Sequence, residues 1–254
     1  MEIGSTKGQD ETILMSDAED QEPQKPIRAD ERGEEPVFFP GDVACAIRGS
    51  NSARSPSFIE SRDRVEFTKA QKRALVASGL LTKAEFPKRS AIDAQGTEHV
   101  VRFCGQRVEK HQRAEAWVPV LSDAGNLSIN RAIPSEYLRR LELQNEMFGD
   151  DIRITGLTRG DRFVSTQPTL RGGEPSENEI RDVLEEAGWK RVPPKVQDLP
   201  VQLMGSAWWH NEESLVMLDA RKPNFKKTDY GVLPIDLILA DLTEEIRSIC
   251  SKQH

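Results

Sequence analysis

Two carboxylates and a carboxamide lie at the ends of short apolar segments in the C-terminal half of the chain. The apolar run Leu215–Leu218 ends on Asp219, residues 232–235 end on Asp236, and Asn224 lies between them. Four consecutive apolar residues favour a short buried strand. Oxygen atoms of such side chains suit a magnesium ion and the orientation of a hydroxyl group. The pattern therefore indicates phosphoryl transfer.

A hairpin is the local structure that would bring these side chains together. Thr228-Asp229-Tyr230-Gly231 has the composition of a turn, and residues 232–235 then read as a strand returning beside Leu215–Leu218. Pro234 favours an edge or an end of that strand, because proline lacks the backbone donor that an inner strand needs. We expect Asp219, Asn224 and Asp236 to converge.

The same residues carry a resemblance to a known family. The spacing D-x-x-x-x-N from Asp219 to Asn224, with Lys222-Pro223 before the Asn and Asp236 seventeen residues after Asp219, resembles the catalytic loop and metal-binding Asp of protein-kinase-like enzymes. With the stretches 136–152 and 165–180 in the matching order, roughly residues 90–240 look like the serine/threonine/tyrosine kinase domain of bacterial and phage polyvalent proteins.

The resemblance implies an α+β, reduced two-lobed protein-kinase-like fold. A strand-rich N-terminal lobe with one central helix would span residues 89–166, and a small C-terminal lobe residues 167–254. The implied activity is ATP- and Mg-dependent transfer of the γ-phosphoryl group to a hydroxyl of a protein or small molecule. Asp219 would orient that hydroxyl and take its proton, while Asn224 and Asp236 would hold magnesium.

Three further residues are predicted to bind the nucleotide. The resemblance implies that Lys110, in a strand, fixes the phosphates and pairs with an acidic residue of the following helix. Of Glu136, Glu142 and Glu146 we choose Glu142, beside the apolar stripe. Gln167 would lie at the hinge between the lobes. From the residues alone, Lys110 could equally be a solvated lysine at a strand end.

Elements with clear local signals must position these residues. Pro134 and Ser135 open a helix with Leu138 and Leu141 on its apolar face. Asn145 lies on that face too, and a buried amide needs partners, so it could also belong to the site. We further predict strands over 92–110, 152–158 and 161–166, a hairpin tip at Gly125-Asn126, a capped helix from Ser176 to Gly188, and C-terminal helical spacing over residues 237–250.

Outside these lobes the chain has two other regions. Residues 1–36 contain 11 acidic and four basic residues, and so account for the net charge of −7. Low hydrophobicity and acidic excess predict a disordered tail. Residues 37–88 read as an extension with one helix, capped by Thr68. Arg171-Gly172-Gly173 indicates a flexible exit from the hinge rather than an RNA-binding repeat.

Composition limits the other classes of function. The neutral remainder of the chain gives no electrostatic reason to expect nucleic-acid binding, and no apolar run is long enough to span a membrane. The three cysteines and four histidines are scattered in sequence, which argues against a disulfide framework or zinc knuckle and predicts a reducing, cytoplasmic location. Clustering of histidines in space stays open.

Two alternatives to an active enzyme follow from departures from the kinase pattern. The His-Arg-Asp tripeptide is absent, Pro-Ile-Asp stands where Asp-Phe-Gly is expected, and no G-x-G-x-x-G motif precedes Lys110. A catalytically inactive, pseudokinase-like nucleotide-binding module would tolerate these changes. A non-enzymatic interaction module of a mobile element would need neither ATP nor magnesium.

Overall fold

The computed structural model describes Pro40, Gln71, Lys83–Ala84, residues 87–88, 91–114, 116–158 and 162–251. Pro36–His254 forms one compact unit. The predicted acidic tail lies outside the described residues, as does the helix predicted from Thr68 except for Gln71. Gln71 is helical, and its Oε1 accepts a hydrogen bond of 3.1 Å from the Ser135 backbone N–H.

The described residues form an α+β structure with three α-helices. The first of the three, α1 (Pro134–Phe148), begins at a proline, and its capping Glu136 accepts from the Ile133 backbone N–H at 2.8 Å. Helix α2 (Glu177–Glu186) has the predicted capping box of Ser176 and Glu179. Helix α3 (Glu244–Ser251) closes the described chain. No described helix is long and apolar enough to cross a bilayer.

Of the fourteen described strands, six precede α1, two lie between α1 and α2, and six lie between α2 and α3. The predicted hairpin tip at Gly125-Asn126 is confirmed, because the strands on either side of it pair antiparallel. The strands are β1 (Lys83–Ala84), β2 (Ala94–Gln95), β3 (His99–Cys104), β4 (Arg107–Gln112), β5 (Trp117–Leu121), β6 (Leu127–Arg131), β7 (Arg153–Thr158), β8 (Phe163–Pro168), β9 (Lys190–Arg191), β10 (Trp208–His210), β11 (Leu215–Leu218), β12 (Phe225–Thr228), β13 (Gly231–Pro234) and β14 (Ile238–Asp241).

The larger sheet has six strands in the order β1-β7-β8-β4-β3-β2. Between β4 and β7 the chain forms the β5–β6 hairpin and then helix α1. Strand β8 lies between β7 and β4 in the sheet. The buried face of α1 contributes Tyr137, Leu138 and Leu141 to a core with residues of β7 and β8. This core fixes the sheet relative to the helix.

The second sheet has four strands in the order β14-β11-β10-β9. Every residue of Leu215–Leu218 is buried, as four consecutive apolar residues predict. The partner predicted for this strand is wrong. Residues 232–235 do not return beside it: Gly231–Pro234 pairs with Phe225–Thr228, and Leu215–Leu218 lies between β10 and β14. The predicted helical run 237–250 accordingly begins as strand β14.

The Arg171-Gly172-Gly173 segment is fixed rather than a flexible exit. The Gly173 backbone N–H donates to the Lys227 carbonyl at 3.0 Å, and the Lys227 N–H donates back at 2.9 Å. A Cβ on Gly172 would lie 2.2 Å from the Lys227 carbonyl oxygen, closer than real Cβ contacts. Only glycine fits at position 172, and the segment joins the β12–β13 hairpin as a short bridge.

Candidate functional site

Two of the predicted site residues, Lys110 and Gln167, meet at the peptide between Ile235 and Asp236. The Lys110 ammonium donates to the Ile235 carbonyl oxygen at 2.8 Å, and the Gln167 side-chain amide donates to the same oxygen at 3.3 Å. Lys110 Nζ also lies 3.9 Å from Asp236 Oδ1. Residues from three distant segments therefore surround one backbone carbonyl.

Strand register explains how Lys110 and Gln167 reach the same oxygen. Lys110 pairs with Ser165, and Val108 pairs with Gln167, across the antiparallel β4–β8 ladder. Opposed residues point to one face of a sheet, and side chains two residues apart share a face. Both side chains consequently lie on the same face of the six-stranded sheet.

Asp219 and Asn224 are joined by a turn that begins where β11 ends. Asp219 has φ of +63°, and the Asn224 carboxamide donates to the Asp219 carbonyl oxygen at 2.8 Å. Left-handed backbone is tolerated best by Gly, Asn and Asp. The Ile235 N–H donates to the Asn224 carbonyl at 2.8 Å, so this turn lies next to the Ile235–Asp236 peptide.

The Asp219 carboxylate is close to both positive and negative neighbours. The Arg221 guanidinium donates to Asp219 Oδ1. Burial raises the pKa of Asp219, the hydrogen bonds from Arg221 and Asn224 lower it, and the negative charge of Asp236 raises it further, leaving the pKa above its ordinary value. The two aspartates thus lie close enough to influence each other.

Asp236 is held by a buried arginine that sequence reasoning missed. Arg140, on the buried face of α1, donates to Asp236 Oδ1 at 3.1 Å, to both oxygens of Glu98 at 2.9 and 2.8 Å, and through Nε to the Leu237 carbonyl at 2.7 Å. Burial alone would raise the pKa of Asp236, but Lys110, His99 and Arg140 outweigh it and hold the pKa below its usual value. Asp236 is therefore ionised.

The predicted pairing of Glu142 with Lys110 is wrong. Glu142 Oε2 accepts from Arg139 at 2.8 Å, whereas the carboxylate that pairs with Lys110 within 4.0 Å is Asp236. The reason is the rotation of helix α1, which turns Arg140 rather than Glu142 towards the sheet. Arg139 additionally binds Asp241 of β14 at 2.9 Å, so Glu142 belongs to a surface ion-pair network.

Asn145 proves to be structural, which decides the alternative left open by the sequence. Its carboxamide donates to the Ile152 carbonyl at 2.9 Å and accepts from the Ile152 N–H at 2.7 Å. A backbone amide with both groups satisfied is held in place. Asn145 therefore attaches the end of α1 to the start of β7.

Asp150, in the same loop, is a second acid that the sequence did not indicate. Gln144 donates to its carboxylate at 2.5 Å. Burial raises the pKa of Asp150 to about 6, although the hydrogen bond from Gln144 and the charge of Lys110 both act in the opposite direction. Lys110 thus lies within electrostatic reach of two carboxylates, those of Asp150 and Asp236.

Glu98 and His99 complete the surroundings of Asp236. His99 Nδ1 is 3.8 Å from Glu98 Oε2 and 3.7 Å from Asp236 Oδ2, and the three residues present ligand atoms within 4.8 Å of one another. No apolar period or motif marks Glu98, His99 or Arg140 as a group. The one sequence signal is that Arg140 interrupts the apolar stripe of α1 next to Leu141.

Comparison with known protein families, with curated proteins and with solved structures finds no match for this chain.

Proposed function

We propose that this chain binds magnesium-ATP and transfers its γ-phosphoryl group to a hydroxyl of a protein or small molecule, on a reduced two-lobed kinase-like fold. The observation that carries the proposal is that the Lys110 ammonium and the Gln167 amide both donate to the Ile235 carbonyl beside Asp236, while the Ile235 N–H donates to the Asn224 backbone carbonyl. The element order supports it as well: a strand with Lys110, a helix, two strands, and then Gln167 at the exit from the sheet.

The donor set fits magnesium and a triphosphate. Magnesium prefers oxygen ligands and usually takes one or two carboxylates beside the phosphates. Asp236 is ionised, because its neighbours lower its pKa, and Asn224, whose amide nitrogen donates to the Asp219 carbonyl, offers a carboxamide oxygen. Bound magnesium would neutralise phosphate charge, and Lys110, whose side chain is 13% exposed, would supply a point charge to the phosphates.

Asp219 is the residue proposed to work on the acceptor. Its left-handed backbone turns it out of β11, and the hydrogen bond from Asn224 to its carbonyl fixes that turn. Its raised pKa makes the carboxylate a stronger proton acceptor than an ordinary aspartate. Asp219 would accept the hydroxyl proton, while positioning and electrostatics supply most of the rate.

A second candidate is nucleotide binding without transfer. It is favoured by the Arg221 guanidinium, which occupies the Asp219 carboxylate in the structure, and by the departures from the kinase pattern in sequence. Arg221 would then have to move before Asp219 could take a proton. This function shares the nucleotide site with the first and differs only in turnover.

A thermal-shift series with magnesium-ATP, followed by a γ-phosphate radiolabel assay, tests the two candidate functions, phosphoryl transfer and nucleotide binding without transfer. Because a ligand that binds only the folded state stabilises it by mass action, both functions predict a rise in Tm that saturates with ATP concentration. Lys110→Met should abolish the rise, while Lys195→Met, an exposed lysine, should leave it unchanged. Label transfer or ADP release by the wild type supports the phosphotransferase. A Tm that does not change with ATP concentration contradicts both candidate functions.

A further inference from the structure

His99 has one ring nitrogen bound and one without a hydrogen-bond partner. Its Nε2 lies 3.0 Å from the Tyr137 hydroxyl, and its side chain is only 5% exposed. Its Nδ1 is buried and makes no hydrogen bond. A buried polar atom without a partner costs free energy of about 1–3 kcal/mol, so a nitrogen left in this state points to a missing ligand.

The unpartnered nitrogen faces two carboxylate oxygens. Asp236 Oδ2 is 3.7 Å away and Glu98 Oε2 3.8 Å away, both beyond hydrogen-bond length, and the cluster atoms lie within 4.8 Å of one another. A point equidistant from three such atoms lies about 2.2–2.4 Å from each, close to the 2.0–2.2 Å at which nitrogen and carboxylate oxygen bind zinc. The spacing fits one divalent ion.

The surrounding contacts orient all three side chains. The Tyr137 hydroxyl occupies the far nitrogen of His99. The Arg140 guanidinium contacts both Glu98 oxygens and Asp236 Oδ1, and the Trp117 N–H donates to Glu98 Oε1 at 3.1 Å. Hydrogen bonds of this kind fix ligand orientation in metal sites. The three donor atoms are therefore held in place before any ion arrives.

Charge decides which ion the cluster would prefer. Arg140 and Lys110 already balance the carboxylates of Glu98 and Asp236, so simple electrostatic attraction for a dication is weak. Binding must depend on a coordination bond to the imidazole nitrogen. Zinc and similar first-row transition ions form that bond, whereas magnesium and calcium prefer oxygen.

We propose that Glu98, His99 and Asp236 form a site for a divalent transition-metal ion of the zinc class. The site is reached from the side of Asp236, whose side chain is 33% exposed. It does not depend on phosphoryl transfer, since Glu98 and His99 have no part in that function. Asp236 is common to both: its Oδ1 lies near Arg140 and Lys110, and its Oδ2 faces His99.

Calorimetric titration of the untagged, metal-stripped full chain with zinc chloride tests the site. We expect one ion per chain, and His99→Gln should weaken binding by at least about tenfold, because it removes a nitrogen ligand. His210→Gln is the matched control: His210 is also buried, but its two nitrogens contact the Ala187 carbonyl and the Glu213 N–H. Its affinity for zinc should equal that of the wild type.

A second pair of variants separates this site from the nucleotide site. Glu98→Gln should weaken zinc binding with little effect on magnesium-ATP, and Asn224→Ala should do the reverse. Absence of zinc binding by the wild type, or unchanged affinity in His99→Gln, overturns the metal site and leaves the phosphotransferase proposal intact. Should His99→Gln fail to fold, nitrogen NMR of the wild-type histidine rings decides: zinc must shift an Nδ1 signal, and unshifted signals overturn the site.

Discussion

The Lys110 ammonium donates a hydrogen bond of 2.8 Å to the Ile235 carbonyl oxygen across 125 residues of sequence. This contact joins the central part of the six-stranded sheet to the segment that leads from β13 to β14. The neighbouring Asp236 completes an ion pair with the same ammonium. We therefore expect Lys110 to contribute both to the stability of this segment and to its proposed function.

Removal of the Lys110 charge should destabilise the fold modestly. In Lys110→Met the Ile235 carbonyl keeps its hydrogen bond from Gln167, but Asp236 loses a cation in a partly buried site. A hydrogen bond from a charged group contributes about 1.5–3 kcal/mol, so we expect a loss in that range. Urea unfolding of the variant beside Lys195→Met measures it, and equal midpoints would contradict the contact.

Arg140 and Arg139 are adjacent on helix α1 and should respond differently to the same change. Lysine cannot reproduce the fork of Arg140, which is buried and contacts Glu98, Asp236 and Leu237. Arg140→Lys should cost about 2–4 kcal/mol of unfolding free energy. Arg139→Lys, at the surface, should cost less than about 1 kcal/mol. Chemical denaturation of both variants makes the comparison, and similar losses would show that burial of Arg140 is unimportant.

Asp150 should make the fold less stable as the pH rises through about 6. Its folded-state pKa of about 6 lies above its ordinary value of 3.8, so the folded state holds its proton more tightly than the unfolded chain. Its contribution is present below pH 3.8 and is lost between there and about 6. Asp150→Asn should therefore be more stable than the wild type at pH 7.5, with a difference that shrinks towards pH 4. A difference that is constant across this window would mean that Asp150 titrates normally.

Asp236 should have the opposite effect on folding stability: its contribution should be lost as the pH falls. Because its pKa is lowered in the folded state, its stabilising effect is complete above the unfolded value of about 3.9 and declines as the pH falls below it. Asp236→Asn should lose stability at neutral pH and show a flatter Tm profile below pH 4. Thermal melts of Asp236→Asn and of the wild type between about pH 2.5 and 7 test this expectation. Parallel profiles of Tm against pH would contradict the lowered pKa of Asp236.

Two neighbouring glycines provide a matched test of the bridge to Lys227. A methyl group on Gly172 would lie 2.2 Å from a backbone oxygen, while a methyl group on Gly173 meets nothing within 4 Å. Gly172→Ala should cost about 1–3 kcal/mol, in the range for overpacking. Gly173→Ala should be close to neutral. The melting temperatures of the two variants test this difference. Equal values would mean that the segment containing Gly172 can move away from Lys227 without loss of stability.

Some of this structure follows directly from local sequence. Leu215–Leu218 is a buried strand because it is uniformly apolar, and the capping box of Ser176 and Glu179 marks the start of α2. Asp219, Asn224 and Asp236 could be grouped because a spacing pattern connects them, whereas Lys110 joined them only through the resemblance. In each case the deciding signal lies within a few residues, or in a motif that fixes order along the chain.

The rest depended on contacts between distant residues. Leu215–Leu218 pairs with Trp208–His210 on one side and with Ile238–Asp241 on the other, and an apolar period does not show that the second neighbour is Ile238–Asp241 rather than residues 232–235. The apolar stripe of α1 favours Glu142, which lies beside it, and gives no sign that Arg140 contacts Glu98 and Asp236. His99 and Asp236 are 137 positions apart in the numbering, so only the folded chain brings the imidazole to the carboxylate.

The double hydrogen bond between Asn145 and Ile152 limits how helix α1 can move. Its anchor is one turn beyond Arg140 on the same helix, and its other end is the first strand after the loop that carries Asp150. Displacement of the helix alone would break both bonds, so a shift that carries Arg140 away from Asp236 must pull β7 with it. Helix α1 and strand β7 are thereby constrained to move together, and slow amide exchange at Ile152 should accompany slow exchange in the middle of α1.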